Sequence, residues 1–247
     1  MRKKKGGSVL PQEYHFLFAT FVFLLTYAFI VAEKWHRAVV AISGAVIILL
    51  SKVLTQDVAI GFIDFNTIGL LIGMMIIVGV TRETGVFEYM AILAAKKAKG
   101  EPVRIMIFLA IITAIASALL DNVTTVLLIV PVTFSIVREL KLSPIPFLIT
   151  EIIASNIGGT ATLIGDPPNI MIGSATHLTF LDFLFNLTPV IVVIFIVTIY
   201  ILKWIYKKQL QIDDSLKENI MKFDENEQIK DVKLLKKCLA VLALTIL

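Results

Sequence analysis

Long apolar runs separated by short polar segments set the pattern of this chain. Runs at about 14–32, 38–54 and 65–81 approach the roughly 20 residues that a helix needs to cross a bilayer. A shorter and weaker apolar helix is predicted at 84–98, and another complete run lies at 189–206. The pattern predicts an all-α, polytopic membrane protein.

Two further apolar halves, 103–120 and 123–138, meet with almost no connector between them. Only Asp121 and Asn122 separate the halves, whereas two ordinary spans need a connecting loop in the headgroup region. We therefore predict a re-entrant helical hairpin whose tip lies inside the membrane. A pair of short crossing helices is the alternative, since each half has about 17 residues.

The apolar segment 145–175 is interrupted by the stretch SNIGGTATLIGDPPN at 155–169, which contains three glycines and two prolines. Non-helical backbone is tolerated at membrane depth only where protein buries it or where it lines a wet cavity. We therefore predict that this stretch is the unwound middle of a discontinuous helix. A structural kink is the alternative, although one proline would suffice for a kink.

Composition supports a membrane protein and argues against several other functions. The chain is 57% hydrophobic and 17% charged, against about 45–50% and 25% in soluble domains. The net charge of +4 does not indicate nucleic-acid binding, because Lys and Arg cluster at the ends of apolar runs. The single cysteine, Cys238, excludes a disulfide within the chain, and three scattered histidines indicate no metal site. We expect no cofactor.

The basic clusters predict the orientation of the chain in the membrane. If the N-terminus lies in the cytoplasm, the predicted spans return these clusters to the cytoplasmic side, as the positive-inside rule requires. The clusters lie at 2–5, 96–104, 138–141 and 203–208. Lys34, His36 and Arg37 are the exception, because they would lie outside. We expect a multi-pass protein of the plasma membrane with a cytoplasmic N-terminus.

Polar groups concentrate at the hairpin tip and in the break. Freed carbonyls and a helix C-terminus can coordinate a cation, while a helix N-terminus favours an anion. Capping of the following helix is an alternative role for Asp121, and Glu151 is a candidate for a proton relay, against an interfacial or paired role. The predicted substrate- or ion-binding residues are Asp121, Asn122, Thr124, Thr125, Ser155, Asn156, Gly158, Gly159, Thr160, Thr162, Gly165, Asp166, Pro167, Pro168 and Asn169.

Three motifs in order resemble a known superfamily. They are DFNTIGLLIGMMIIV at 64–78, SALLDNVTTVLLIVPVT at 117–133 and SNIGGTATLIGDPPNIMI at 155–172. Together they look like the ion transporter superfamily of arsenite permeases, D-type sodium/proton antiporters, and citrate and dicarboxylate carriers. The resemblance covers about 60–206 and is strongest to the branch of arsenical pump membrane proteins and the melanosomal P protein.

The resemblance implies two inverted-topology repeats, each with a re-entrant hairpin and a broken helix whose polar tips form the site. We expect this chain to hold one repeat and the start of another. The implied function is secondary active transport of a small inorganic ion or anion, with arsenite or Na⁺ exchanged for H⁺ as the first hypothesis. A citrate- or dicarboxylate-type organic anion transporter and an ion channel are alternatives. The implied partners are the lipid bilayer, the transported ion or anion and H⁺ or Na⁺ as coupling ion, and a homodimer is compatible with the family.

The tip sequence departs from the pattern of dicarboxylate carriers, which usually carry Ser-Asn-Thr there, because this chain has an additional acid at Asp121. The acid argues mildly for proton or cation coupling. An enzyme is not expected: the G-x-G-D motif of intramembrane aspartyl proteases fails, because Leu163 stands at its first position. A membrane subunit without transport activity of its own is a further alternative.

The pattern divides the chain into five segments. They are scaffold-like spans at 1–98, a transport core with hairpin and broken helix at 99–186, a final complete span at 187–206, a cytoplasmic linker with some helix at 207–237, and the start of a truncated span at 238–247. Ten apolar residues cannot cross a bilayer. We therefore expect a truncated chain or a fragment that lacks the second repeat.

Overall fold

The computed structural model describes residues 11–221 and 223–246, and these residues form helices joined by turns, with no strand among them. The basic cluster predicted at 2–5 lies outside the described residues. The α-helices are α1 (His15–Val31), α2 (Arg37–Leu50), α3 (Gln56–Gly61), α4 (Phe65–Glu83), α5 (Val86–Lys97), α6 (Pro102–Leu119), α7 (Asn122–Glu139), α8 (Ile145–Gly159), α9 (Pro167–Thr176), α10 (Phe180–Tyr206), α11 (Asp214–Met221) and α12 (Val232–Ile246).

Four of the described helices, α4, α6, α7 and α10, are long and apolar enough to cross a membrane by length and composition. The apolar helices α1, α2 and α8 are shorter. α6 and α7 have 18 residues each, which gives about 27 Å at the helical rise. The all-helical, multi-pass architecture predicted from the apolar runs is therefore confirmed. The re-entrant course of α6 and α7 stays a prediction.

The described residues form two compact units, which divide between Phe65 and Asn66. In the first unit, α1 packs against α2 at Gly44, where a Cβ would lie 2.3 Å from the Thr26 hydroxyl oxygen. Most other side chains of these two helices are exposed and apolar, as expected for surfaces that face lipid.

In the second unit, α6 and α8 make the most extensive helix–helix contact, and α5, α7 and α10 pack around them. The core between these helices is apolar and includes the fully buried Ile105, Leu109, Ile129, Ile136 and Phe147. This packing brings the end of α6, the start of α7 and the end of α8 together at one place.

Gly158 explains the close approach of α6 and α8. A Cβ at this position would lie 2.1 Å from the carbonyl oxygen of Ala114 in α6. The prediction that Gly158 and Gly159 lie in unwound backbone is therefore wrong, because both are the last residues of α8. Their small size permits helix packing, a common use of glycine between membrane helices.

The last complete span begins earlier than predicted. The apolar run at 189–206 is the later part of α10, which starts at Phe180 because Thr179 and Asp182 form a capping box there. Pro189 lies inside the helix and removes one backbone hydrogen bond without ending it.

The predicted linker is a packed part of the second unit. α11 forms within it, and Leu210 and Ile220 are buried in the hydrophobic core. Lys96 at the end of α5 forms an ion pair with Glu225. The polar sequence of this segment therefore does not indicate a free loop.

The turn between α4 and α5 holds the linker through main-chain contacts. The N–H of Lys230 donates to the carbonyl of Thr84 at 3.0 Å. Gly85 has a left-handed φ of +77°, and a Cβ there would lie 1.7 Å from the carbonyl oxygen of Gln228. Glycine meets both demands, because it adopts positive φ freely and has no side chain.

We expect Gly158→Ala to destabilise the protein, because the added methyl group would overlap the Ala114 carbonyl and separate α6 from α8. Overpacking of this kind costs about 1–3 kcal/mol. Gly69→Ala in α4 is the matched control, since a Cβ there meets nothing within 4 Å. Thermal unfolding in detergent should show a lower midpoint for Gly158→Ala only. Equal midpoints would contradict the packing argument.

The attachment of the linker should depend on pH. The hydrogen bond from Lys96 holds the pKa of Glu225 below its ordinary value. Its stabilising effect is therefore present above the ordinary pKa of a glutamate and is lost as the pH falls through the lowered pKa of the folded protein. Hydrogen exchange at 207–231 should rise on acidification and should already be raised at neutral pH in Glu225→Gln. Glu227→Gln is the control, and slow exchange at neutral pH in Glu225→Gln would refute the role of the pair.

Candidate functional site

Asp121 caps α7 at the predicted hairpin tip. α6 ends at Leu119, Leu120 is extended, and an oxygen of the Asp121 carboxylate accepts the N–H of Thr124 at 2.8 Å. This bond satisfies one of the free N–H groups at the helix start. The capping role considered for Asp121 is therefore present, and the half-buried side chain stays accessible beside it.

The break in the second segment is shorter than predicted. α8 ends at Gly159 and α9 begins at Pro167, so 160–166 alone are non-helical, and the predicted unwinding at 155–169 is too wide. Pro167 and Pro168 occupy the first turn of α9, where a missing N–H costs little. The two prolines therefore begin α9, whereas the sequence pattern predicts them in the unwound middle of a longer helix. Asp166 stands at the N-cap position of α9, but its side chain makes no capping bond.

Asn169 holds the break from within α9. Its side-chain amide donates to the carbonyl of Thr160 at 3.1 Å and to the carbonyl of Thr162 at 2.8 Å. The Thr162 hydroxyl accepts the N–H of Gly165 at 3.2 Å. Two of the carbonyls expected to be free for a cation are therefore already paired within the protein.

The end of α6 and the start of α7 contact the end of α8 and the break directly. The side-chain amide of Asn122 donates to the side-chain oxygen of Asn156 at 3.1 Å. The Ser117 hydroxyl donates to the carbonyl of Ser155 at 2.7 Å, and the Thr162 hydroxyl donates to the carbonyl of Ala118. Three contacts thus connect α6 and the start of α7 to the end of α8 and the break.

Gly165 makes this contact possible at backbone level. A Cβ there would lie 2.4 Å from the carbonyl oxygen of Gly159 and 2.7 Å from that of Ser117. No larger side chain fits between the two segments without moving the backbone. Gly165 therefore shapes the meeting point, whereas a role in ligand binding stays a prediction.

Two carboxylates stand at the meeting point. Asp121 and Asp166 are close enough to interact electrostatically, and both are half-buried. Each stands at the N-cap position of a helix, α7 or α9, where the dipole stabilises a negative charge. Two like charges so placed favour binding of a cation or a proton between them.

The predicted site residues divide into an accessible and a buried set. The residues with accessible surface are Asp121, Asn122, Thr124, Asn156, Thr160, Asp166, Pro167 and Pro168. The buried residues, which form the supporting structure, are Thr125, Ser155, Gly158, Gly159, Thr162, Gly165 and Asn169. Among the buried residues, the Thr125 hydroxyl finds no hydrogen-bond partner within the described part of the chain.

Sequence reasoning missed two hydroxyl side chains that support the site. Ser117 bridges α6 to α8, and the Thr188 hydroxyl of α10 donates to the carbonyl of Ala161 in the break at 3.2 Å. Ser117 is a polar residue in the last turn of the apolar helix α6, close to the predicted tip, so the sequence offers a signal for it. Thr188 carries none, because only the fold brings α10 against the break.

Comparison with known proteins matches most of the chain. The family model for citrate transporters, CitMHS, matches residues 27–247. An uncharacterized transporter of Mycobacterium bovis is 47% identical over 230 residues, which cover 92% of this chain and 53% of that protein. The human P protein is 42% identical over 165 residues, which cover 65% of this chain and 20% of that protein. The chain spans about half the length of the mycobacterial relatives it matches.

We expect Asn169→Asp to loosen the break, because a carboxylate would replace the amide that donates to two carbonyls. Each lost hydrogen bond is worth about 0.5–1.5 kcal/mol, so hydrogen exchange at 160–166 should accelerate about tenfold or more. Asn186→Asp is the control, since Asn186 is exposed and donates to the Asp182 carbonyl in α10. Unchanged exchange in Asn169→Asp would show that Asn169 does not hold the break.

Proposed function

Because the chain belongs to the citrate transporter (CitMHS) family, we propose that it supplies the ion-binding half of a secondary active transporter. The transporter lies in the plasma membrane with its N-terminus in the cytoplasm. Segment 99–186 is the mobile transport core, and the spans of 1–98 and 187–206 are the scaffold against which it moves. Membership of a transporter family argues against the protease alternative.

The single observation that carries this proposal is the hydrogen bond between Asn122 and Asn156. It joins the start of α7 to the end of α8, so these two helix ends and the non-helical segment 160–166 lie together in one polar region. Non-helical backbone at membrane depth has to be buried in protein or line a wet cavity. An exposed polar pair beside such backbone favours the wet cavity, which is what a transported ion requires.

The two aspartates favour a particular class of cargo. Asp121 and Asp166 repel an anion such as citrate, whereas they attract Na⁺ and tolerate arsenite, which is largely an uncharged acid at neutral pH. We therefore place exchange of arsenite or Na⁺ for H⁺ first. Citrate is the second candidate, favoured by the description of the family. Its binding requires a cation that screens the two carboxylates.

Asp166→Asn and Asn122→Ala should each reduce transport about tenfold or more, because each removes a group that contacts the ion or positions it. The complete natural protein is reconstituted in liposomes, and uptake of ²²Na⁺, arsenite and citrate, with and without Mg²⁺, is measured. Glu139→Gln is the control, since Glu139 is exposed and lies at the opposite end of α7 from Asn122. Unchanged flux of every transported probe in either site variant refutes the site.

Saturation separates a carrier from a channel in the same liposomes. A carrier shows flux that saturates with substrate and exchanges labelled for unlabelled substrate, and a gradient of its coupling ion drives it uphill. A channel shows current that reverses with the ion gradient, and unlabelled substrate on the opposite side does not accelerate its tracer flux. Channel-like behaviour, or no flux of any of the three probes, overturns the proposal.

A further inference from the structure

Glu151 is a buried acid that the site described above does not use. It lies in the middle of α8, and 0% of its surface is exposed. Among the described residues, no other acidic or basic side chain is buried. Burying a carboxyl inside an apolar helix bundle costs free energy unless the group is paired, and ionisable residues in membrane segments usually have a function.

The surroundings of Glu151 provide one hydrogen bond and no counter-charge. The Thr133 hydroxyl of α7 donates to one carboxyl oxygen at 2.5 Å, and the other oxygen is buried without a partner. No Lys, Arg or His side chain in the described part of the chain forms an ion pair with this carboxyl.

The helices packed against α8 carry ionisable groups, but these stand near the helix ends. The groups are Arg104 on α6, Asp121, Arg138 and Glu139 at the two ends of α7, and Asp182, Tyr200, Lys203 and Tyr206 on α10. The cationic groups among them, Arg104, Arg138 and Lys203, form no ion pair with Glu151. Arg104 is paired with Glu101 in its own segment. The carboxyl therefore has no ionic partner in this arrangement.

This environment suits a proton better than a metal ion. An ionised carboxylate without a partner in a closed apolar place carries a large desolvation cost, which the neutral acid avoids. A hard metal cation takes six or more oxygen ligands, whereas the carboxyl and Thr133 offer three. The unpartnered oxygen is where an acidic proton would be held.

Along α8, Glu151 is connected to the place where the end of α6 and the start of α7 contact the end of α8 and the break. Ser155 lies one turn further on the same face, where its carbonyl accepts the Ser117 hydroxyl. Asn156 is five residues away, about 7.5 Å along the helix axis. Because α8 is one continuous helix from Ile145 to Gly159, we expect a movement of α8 that changes the Asn122–Asn156 contact to change its packing against Thr133 as well.

We propose that Glu151 is the residue that carries the coupling proton, which rests on the proposed function as a secondary transporter. While the α7–α8 interface is open to one side, a hydronium ion gives its proton to the unpartnered carboxylate oxygen, so that one O–H bond of the hydronium breaks, the carboxyl O–H bond forms and a water molecule is released. The neutral acid persists while the interface is closed around Thr133. The O–H bond breaks and water accepts the proton when the interface opens to the other side, where the ion binds at Asp121 and Asp166.

Infrared difference spectroscopy tests the protonation without requiring a known substrate. The complete natural protein should show the band of a protonated carboxyl group, and the intensity of this band should change with pH. The band should be absent in Glu151→Gln, and its frequency should shift in Glu151→Asp and in Thr133→Val. Glu88→Gln on α5 is the matched control, since Glu88 also has a buried carboxyl oxygen without a partner. A band that survives in Glu151→Gln, or one that Glu151→Gln removes but that never changes with pH, overturns the proposal.

Flux measurements then test the coupling. In liposomes with a pH-sensitive dye, Glu151→Gln should reduce proton-gradient-driven flux of the transported probe to the level of protein-free liposomes, and residual exchange should become independent of pH. Glu151→Asp should keep the pH dependence. Proton-coupled flux that persists in Glu151→Gln refutes the role of Glu151 but leaves the transporter proposal standing. If the natural protein transports none of the probes, the transporter proposal fails, and the infrared result alone decides whether Glu151 exchanges a proton.

Discussion

The need to pair every backbone N–H and C=O group away from water determines how the central part of this protein is built. Residues 160–166 leave the helical hydrogen-bonding pattern in the middle of an apolar segment. Side chains replace the missing partners: Asn169 donates to two carbonyls of the break, and Thr188 donates to a third. The helices around the break are therefore arranged so that polar side chains reach it.

The same pairing limits what the site can bind. The two carbonyls that accept hydrogen bonds from the Asn169 amide are already paired, so under the proposed function we expect the side chains and helix ends that remain accessible to bind the ion. Two of these helix ends carry Asp121 and Asp166. A helix N-terminus that would otherwise attract an anion is in both cases occupied by a carboxylate, and the local preference changes towards cations and protons.

Much of the architecture is readable from the sequence, because the lengths of the apolar runs and the positions of Gly, Pro and Asp between them indicate where helices end. The predicted halves 103–120 and 123–138 lie within one residue of α6 and α7 at each end. The glycines were harder to interpret. Gly158 and Gly159 suggest unwound backbone, yet they lie in α8, where the nearest atoms belong to α6 and to Gly165. Composition alone does not distinguish a glycine that bends the chain from one that admits a neighbouring helix.

Tertiary contacts account for the remaining differences between sequence and structure. The Asn122–Asn156 bond joins residues 34 positions apart, and the Glu151–Thr133 bond joins facing sides of two helices. Neither pairing has a local signal, although each polar residue stands out in its apolar surroundings. The start of α10 had such a signal in the Thr179–Asp182 capping box, and the stronger apolar run after Pro189 obscured it.

The attachment of Lys230 to Thr84 has a consequence for biogenesis. Proteins are synthesised from the N-terminus, and early segments generally fold before late ones emerge. The turn that offers the Thr84 carbonyl is therefore complete before the ribosome has made the residues that bind it. Lys230, which docks on this turn, lies two residues before α12, so the start of α12 is tied to a part of the protein that was synthesised much earlier.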